Sequence, residues 1–202
     1  MVHAATCLAV LAKPVHSGLM ERERDERWNH NIHYHHRILD AVPVGARTAL
    51  DVGTGNGLLA AELHRQIPRV TGIDRDAAAL ESARREDADV TWIHGDVMTH
   101  PFDIASFDVV ASVATLHHLP DLDQALARLA ELTAPGGVMA LVGVARSSGP
   151  RDLLYDAAGV IQHRVNSRRY GLWEHSAPLV WPPPHTYAEV RRSVGRLSLI
   201  HI

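Results

Sequence analysis

The chain has 202 residues, of which 46% are hydrophobic and 21% charged, the size and composition of one globular domain. Its formal net charge of −3 predicts no general attraction to nucleic acid or to an anionic membrane, and we expect neither as a partner. The single cysteine, Cys7, excludes an internal disulfide. Together these features suit a protein of the cytoplasm.

The amino-terminal segment differs in texture from the rest of the chain. Residues 4–12 are mildly apolar, but they are too few to span a bilayer and no Lys or Arg precedes them. A secretory signal is therefore the weaker alternative. We expect residues 1–19 to form a disordered extension and residues 20–202 to form a single domain.

Helices and strands alternate through the predicted domain. Apolar runs predict five strands, at 47–52, 70–73, 90–93, 107–113 and 138–144. Apolar residues at helical spacing predict helices at 28–39, 58–67, 76–87, 121–132, 152–165 and 186–194. This alternation predicts an α/β fold with a Rossmann-like, doubly wound, mostly parallel sheet.

A glycine-rich loop follows the first predicted strand, at the end where ligands of such sheets bind. Gly53, Gly55 and Gly57 alternate directly after Asp51, and glycine lets a backbone turn sharply and approach a ligand closely. The helix that begins near Gly57 directs free N–H groups at the same place. The spacing differs from the dinucleotide fingerprint, because Leu58 stands where that motif has its third glycine. A plain strand-to-helix turn is the alternative.

Acidic residues follow the second and third predicted strands. Asp74 lies about 20 residues after Gly53, where a carboxylate can accept hydrogen bonds from both hydroxyls of a ribose. Its alternative role, capping the next helix, suits Asp76 better. Asp96 and Val97 follow the third strand and could read the edge of an adenine, with an ordinary turn as the alternative.

In this order, the motifs resemble those of the class I S-adenosylmethionine-dependent methyltransferases, particularly the small-molecule group that includes the ubiquinone and menaquinone methyltransferases. The resemblance covers about residues 28–144. It is carried by LDVGTGNG at 50–57, GIDRD at 72–76, GDV at 95–97 and FDVVASVATLHHLP at 107–120. It implies methyl transfer from S-adenosylmethionine.

The resemblance implies that the first two strand ends hold the methionine and ribose parts of the cofactor. Asp51 and the following loop would hold the methionine part. The loop residues concerned are Gly53, Thr54, Gly55 and Gly57. Asp74 would bind the ribose hydroxyls.

The same resemblance implies that the next two strand ends surround the adenine and the sulfonium. Arg75 would lie beside the adenine, and Asp96 and Val97 would read its edge. Ser112 and Val113, which end the fourth predicted strand, would line the pocket near the sulfonium.

The chain departs from the resembled family after the fifth predicted strand. The family sheet has seven strands, of which the last two form an antiparallel hairpin, and here residues 197–202 can begin at most one of them. We therefore expect a sheet that lacks one or both C-terminal strands, with 138–144 at an exposed edge and with reduced stability. This divides the domain into a cofactor-binding half, 45–145, and an incomplete substrate-side part, 146–202.

The methyl acceptor is expected beyond the fourth predicted strand. Because a sulfonium methyl is already activated, alignment and exclusion of water can provide most of the catalysis. His117 is our candidate for a catalytic base, which is needed only where the nucleophile carries a proton, and a polar lining of the acceptor pocket is its alternative role. Trp173 and Trp181 would cap an apolar pocket for a small-molecule acceptor. The sequence leaves the methylated atom and the oligomeric state open.

Two polar clusters offer weaker alternatives. The histidines with metal-site spacing are His30, His33, His35 and His36. No cysteine or acid lies alongside them, so we expect no metal. Arginines that would suit RNA stand at 164, 168 and 169, next to Tyr170, but without a wider basic stripe a solvated loop is favoured.

The segment before the first predicted strand often folds over the cofactor in the resembled family. Trp28, His33 and Tyr34 would then contact cofactor or substrate. The alternative is a solvated helix face with Trp28 and Tyr34 in the core.

Two other functions compete with methyl transfer. A nicotinamide-dependent oxidoreductase uses a similar sheet, but the spacing of the glycine loop and the acid at Asp51 oppose it. A non-catalytic cofactor-binding or interaction module is the other alternative, because the terminal strands are missing from the sequence pattern.

Overall fold

The computed structural model contains a six-stranded parallel sheet with helices on both faces. It describes residues 6–11, 29, 31–119, 121–147, 149, 152, 159–161, 164–166, 168–169 and 182–197. The strands are β1 (Thr6–Leu11), β2 (Thr48–Val52), β3 (Arg69–Asp74), β4 (Thr91–His94), β5 (Phe107–Val113) and β6 (Thr133–Gly143). Their order across the sheet is β1-β6-β5-β2-β3-β4.

The described helices cover both faces of the sheet. They are α1 (His35–Asp40), α2 (Leu58–His64), α3 (Ala77–Glu86), α4 (Leu122–Leu132) and α5 (Tyr187–Arg196), with 3-10 turns at Ile32–Tyr34 and Leu116–His118. Residues of α1 and α2 pack in one buried cluster with β2 and β5, and residues of α4 and α5 pack in a second cluster with β2, β5 and β6. The central strands β2, β5 and β6 are therefore mainly buried, which explains why their sequences are largely apolar.

Side-chain caps fix where three of these helices begin. Asp76 accepts hydrogen bonds from the backbone N–H groups of the first turn of α3. Asp121 accepts one at α4, and Thr186 and Glu189 form a reciprocal capping box at α5. Such caps satisfy N–H groups that have no partner within the helix. The helix starts are thus set by local sequence.

The α/β fold and all five predicted strands are confirmed, with changes at their ends. The last predicted strand begins earlier than expected, because β6 already pairs with β5 at Thr133 and then contains an irregularity before Val138. The first predicted helix, at 28–39, is replaced within its described part by the 3-10 turn and the short helix α1. Of the helix predicted at 152–165, the described residues 152, 159–161, 164 and 165 are helical.

The prediction of an exposed edge at 138–144 is wrong. The whole length of β1 pairs in parallel with β6, from Thr6 opposite Val138 to Leu11 opposite Gly143. The disordered extension predicted for residues 1–19 is likewise replaced at 6–11 by a strand. An apolar parallel strand presents unpaired backbone groups at its edge, and a β-prone segment anywhere in the chain can satisfy them. The sixth strand considered near 197–202 falls almost wholly outside the described residues.

No helix within the described ranges is long and apolar enough to cross a membrane.

Candidate functional site

The loop after β2 is held against the end of β3 by its backbone. The N–H groups of Gly53 and Thr54 both donate to the carbonyl of Ile73, at 2.9 and 3.2 Å. Gly53, Gly55 and Gly57 have φ angles of +69°, +53° and +80°, the left-handed region that glycine adopts without strain. The alternation of glycines is therefore a requirement of this turn.

The three glycines differ in what surrounds them. A Cβ atom at Gly53 would overlap the side chain of Thr115. A Cβ at Gly57 would lie 2.6 Å from the ring of Trp92 and 2.7 Å from the Cβ of Ala83. A Cβ at Gly55 would meet no protein atom within 4 Å, so this position faces open space. Gly53 and Gly57 thus serve packing, and Gly55 leaves room for a ligand.

Asp51 is a buried carboxylate at the base of this loop. Its side chain accepts a hydrogen bond of 2.6 Å from the hydroxyl of Thr54, and only 2% of the residue is exposed. Burial raises the pKa of Asp51 to about 6, against the opposing influences of the Thr54 hydrogen bond and of nearby His35. Pairing with a cation would stabilise the ionised form, which makes Asp51 a natural partner for an ammonium group.

Asp74 links the end of β3 to the glycine loop. One carboxylate oxygen accepts the N–H of Gly55 at 2.7 Å, and the other accepts the N–H of Asp76 at 2.9 Å. The side-chain cap of α3 comes from Asp76, so the helix leaves Asp74 available for another role. Asp74 is only half-buried and lies beside the open position at Gly55.

The end of β4 lies next to the end of β3, because the N–H of Gly95 donates to the carbonyl of Asp74 at 2.9 Å. Asp96 accepts the N–H of Met98 at 2.9 Å, and the guanidinium of Arg75 lies 3.8 Å from its carboxylate. The side chain of Val97 is buried in the core on the α4 face. Asp74, Arg75 and Asp96 thus lie together at the carboxyl ends of the neighbouring strands β3 and β4.

The end of β5 is joined to the end of β2. The hydroxyl of Ser112 is buried and donates to the carbonyl of Val52 at 3.0 Å, while Val113 is half-buried. Ala114 then adopts a φ of +54°, which is strained for a residue with a Cβ, and its N–H donates to the carbonyl of Val142 at 2.7 Å. This turn redirects the chain into the 3-10 turn Leu116–His118.

His117 lies on that 3-10 turn and lines a cavity at the ends of β5 and β6. Burial lowers the pKa of His117 to about 4, with a smaller contribution from His118, whose ring centre is 4.1 Å away. Its imidazole is therefore neutral at physiological pH. The Nδ1 atom is buried and has no hydrogen-bond partner among the described residues.

The amino-terminal histidines have other partners. His35 is buried and lies 3.3 Å from the carboxylate of Glu62, and Nδ1 of His36 is 2.8 Å from the carbonyl of His33. Tyr34 is buried in the core cluster around α1 and α2. In the described part of the chain, no three His, Cys, Asp or Glu side chains come together as a metal site. His30 and Trp28 lie outside the described residues.

Two residues at the site escaped the sequence analysis. Thr115 packs against Gly53, and His185, in the loop before α5, lines the same cavity as His117. The sequence around His185 is a proline-rich stretch with no motif, so its position in space carried no signal. Arg164 and Arg168 are exposed, and Tyr170, Trp173 and Trp181 lie outside the described residues.

Comparison with known proteins finds one matching family and several similar proteins. The family model described as a methyltransferase domain matches residues 50–141. An uncharacterised methyltransferase of Mycobacterium tuberculosis is 46% identical over 176 residues, which cover 86% of this chain and 88% of that protein. The demethylmenaquinone methyltransferase of Roseiflexus castenholzii is 28% identical over 169 residues, covering 77% of this chain and 70% of that protein.

Among solved structures, similarity extends to an amino pentose methyltransferase from Micromonospora echinaspora with bound S-adenosylmethionine. It is 25% identical, with a TM-score of 0.51, and the match covers 68% of this chain and 61% of that one.

Proposed function

Because this chain belongs to the class I S-adenosylmethionine-dependent methyltransferases, we propose that it methylates a small-molecule acceptor bound beside His117. The observation that supports this most is the arrangement at the ends of β2 and β3. There, a buried carboxylate, an open glycine position and a second carboxylate meet at the carboxyl ends of the strands. Ligands of α/β sheets bind at this end of the strands.

The residues at these strand ends fit the methionine and ribose parts of the cofactor. Asp51, whose pKa is raised by burial, would regain its charge next to an ammonium group. Asp74 would accept hydrogen bonds from two ribose hydroxyls in the space left open at Gly55. When bound, S-adenosylmethionine supplies a methyl group activated by its sulfonium, and the by-product of transfer is S-adenosylhomocysteine.

The ends of β3, β4 and β5 suit the adenine and sulfonium parts of the cofactor. Arg75 and Asp96 lie near each other and near Asp74, so they suit the adenine side. Val97 would contribute its N–H rather than its side chain, since that side chain is buried in the core. Ser112 would shape the pocket through its bond to β2 rather than by touching the ligand, and Val113 would line it.

The chain's own contribution to the reaction is mainly to hold the acceptor in line and to exclude water. His117 is our candidate base. Its neutral imidazole can accept a proton from a nucleophile that carries one, and water can then take that proton away. The burial that keeps His117 neutral also makes it a weaker base than an ordinary histidine. For a nucleophile without a proton, His117 would only position the acceptor.

The proposal is tested by binding and by turnover. Calorimetric titration should give binding of S-adenosylmethionine and none of NAD. The protein is then incubated with methyl-labelled cofactor and a metabolite extract, and mass spectrometry should find a labelled small molecule together with S-adenosylhomocysteine. Cofactor binding without any labelled product from extracts would instead support a non-catalytic module.

A further inference from the structure

The cavity beside His117 is apolar except for two imidazoles. It lies between the carboxyl end of β6, the 3-10 turn Leu116–His118 and the helices α4 and α5. Its apolar lining includes Leu116, Leu122, Leu141, Val190 and Val194. Among the described lining residues, only His117 and His185 carry polar side chains.

Both imidazoles have a buried ring nitrogen that no described residue satisfies. These atoms are Nδ1 of His117 and Nε2 of His185. Native proteins rarely leave a buried polar atom without a partner, because the lost hydrogen bond with water is not replaced. Two such atoms on one apolar cavity mark it as a place where a bound molecule would find hydrogen-bonding partners.

His185 is held in place by the backbone on both sides of it. The N–H of Arg146 donates to the carbonyl of His185 at 2.8 Å, and the N–H of Tyr187 donates to the carbonyl of Arg146 at 3.0 Å. The capping box of α5 begins at the next residue, Thr186. The segment after β6 and the loop before α5 thus form a fixed wall, which distinguishes His185 from a histidine on a free surface loop.

The ring nitrogens also limit the chemistry of the ligand. A neutral imidazole carries one donor and one acceptor nitrogen, and a hydroxyl group can pair with either because it both donates and accepts. No Asp, Glu, Lys or Arg side chain lines the described part of this cavity, so a charged ligand would find no carboxylate, ammonium or guanidinium group there to pair with. An uncharged hydroxyl compound fits both conditions.

We propose that His185 is a second acceptor-binding residue, and that it and His117 together hold an uncharged, largely apolar alcohol or phenol. The assignment rests on the proposed function, since it concerns the acceptor side of the same site. It adds a residue from the loop before α5 and a chemical class for the acceptor.

The test measures binding of three matched probes, phenol, toluene and benzoate, to the full chain with S-adenosylhomocysteine present. We expect phenol to bind more tightly than the other two. His185→Leu should weaken phenol binding about tenfold while leaving toluene binding unchanged or stronger, and His185→Gln should stay within about threefold of the wild type. His100, which does not line this cavity, provides the control His100→Gln, which should bind phenol as the wild type does.

Titration with S-adenosylmethionine on the same variants separates the possible failures. Cofactor binding that is intact in His185→Leu, together with unchanged phenol affinity, would overturn the role of His185. Equal affinity for phenol and toluene, or tighter binding of benzoate, would overturn the ligand class. Loss of cofactor binding by the wild type would instead reject the proposed function itself. Thermal melting confirms that each variant is folded. Should His185→Leu unfold, His185→Ala takes its place, because it also removes both ring nitrogens and should show the same loss of phenol affinity.

Discussion

The proposed cofactor side, at the ends of β2 and β3, differs from the proposed acceptor side, around the cavity beside His117. On the cofactor side, Asp51 and Asp74 accept hydrogen bonds from Thr54 and Gly55. On the acceptor side, the buried ring nitrogens of His117 and His185 have no partner among the described residues. The cofactor side is organised by hydrogen bonds between the loop after β2 and the end of the neighbouring strand β3. The acceptor side is assembled from segments far apart in the chain. In the proposed account, a pre-formed cofactor site therefore lies beside an acceptor site whose polar atoms pair only with a ligand, both at the carboxyl ends of the strands.

The largest expected effect is a loss of stability at Gly57, the glycine that packs against Trp92 and Ala83. Gly57→Ala should lower the free energy of unfolding by about 3–5 kcal/mol, because the new Cβ would crowd Trp92 and Ala83 and would also hold a positive φ. The matched control is Gly45→Ala, which has a φ of +83° but open space, and should lower it by about 1–2 kcal/mol. Denaturant unfolding measures both, and equal losses would contradict the packing role of Gly57.

The second prediction concerns the buried carboxylate at Asp51. Its folded-state pKa of about 6 lies above the ordinary value of 3.8, so the folded protein binds more protons than the unfolded chain between those pH values. This group therefore destabilises the cofactor-free protein above about pH 6, by roughly 3 kcal/mol, and that penalty disappears as the pH falls to about 4.

Asp51→Asn isolates this contribution from those of other carboxylates. The variant should be more stable than the wild type at pH 7.5, should lose that advantage toward pH 4, and should bind S-adenosylmethionine less tightly at pH 7.5. Thermal unfolding across this pH range, with a cofactor titration at pH 7.5, provides the measurements. A variant less stable than the wild type at pH 7.5 would show that ionised Asp51 is stabilised by its surroundings.

The third prediction tests whether Asp74 serves the ligand rather than the helix that follows. Asp74→Ala should weaken S-adenosylmethionine binding by about 1.5–3 kcal/mol, because two ribose hydroxyls lose their acceptor. Asp76→Ala removes the cap of α3 instead, and should lower stability by about 1 kcal/mol with cofactor affinity unchanged. Calorimetric titration with S-adenosylmethionine measures the affinity of both variants. Similar affinities in the two would show that Asp74 has a structural role and does not bind the ligand.

The smallest expected effect is at Ala114, in the turn between the cofactor side and the acceptor side. Ala114→Gly relieves a strained φ and should stabilise the protein by about 0.5 kcal/mol, and Ala105→Gly, with a φ of +53°, should do the same. Only Ala114 precedes the turn that carries His117, so only its variant should change phenol affinity. If both variants alter phenol binding equally, the turn at Ala114 has no special role.

The cofactor side was readable from sequence because its features are local. The alternating glycines after Asp51 report backbone conformation directly, and their positive φ angles agree with that interpretation. The cap predicted at Asp76 is observed at the start of α3 for the same reason. Each of these signals depends on residues within a few positions of one another.

The features that the sequence did not predict depend on contacts between segments that are far apart in the chain. The pairing of β1 with β6 joins residues more than a hundred positions apart, and its short apolar sequence resembles an ordinary tail. His185 reaches the acceptor cavity only because the segment after β6 bonds to the loop before α5. The strain at Ala114 likewise arises from the tertiary structure, since alanine has no preference for a positive φ.

The central claim is that the open position at Gly55 belongs to the cofactor, and one titration tests it most directly. Gly55→Val and Gly45→Val both place a side chain on a backbone with positive φ and free space, at opposite ends of β2. Calorimetric titration of both folded variants with S-adenosylmethionine should find binding abolished in Gly55→Val and close to wild type in Gly45→Val. Wild-type affinity in Gly55→Val would contradict the account.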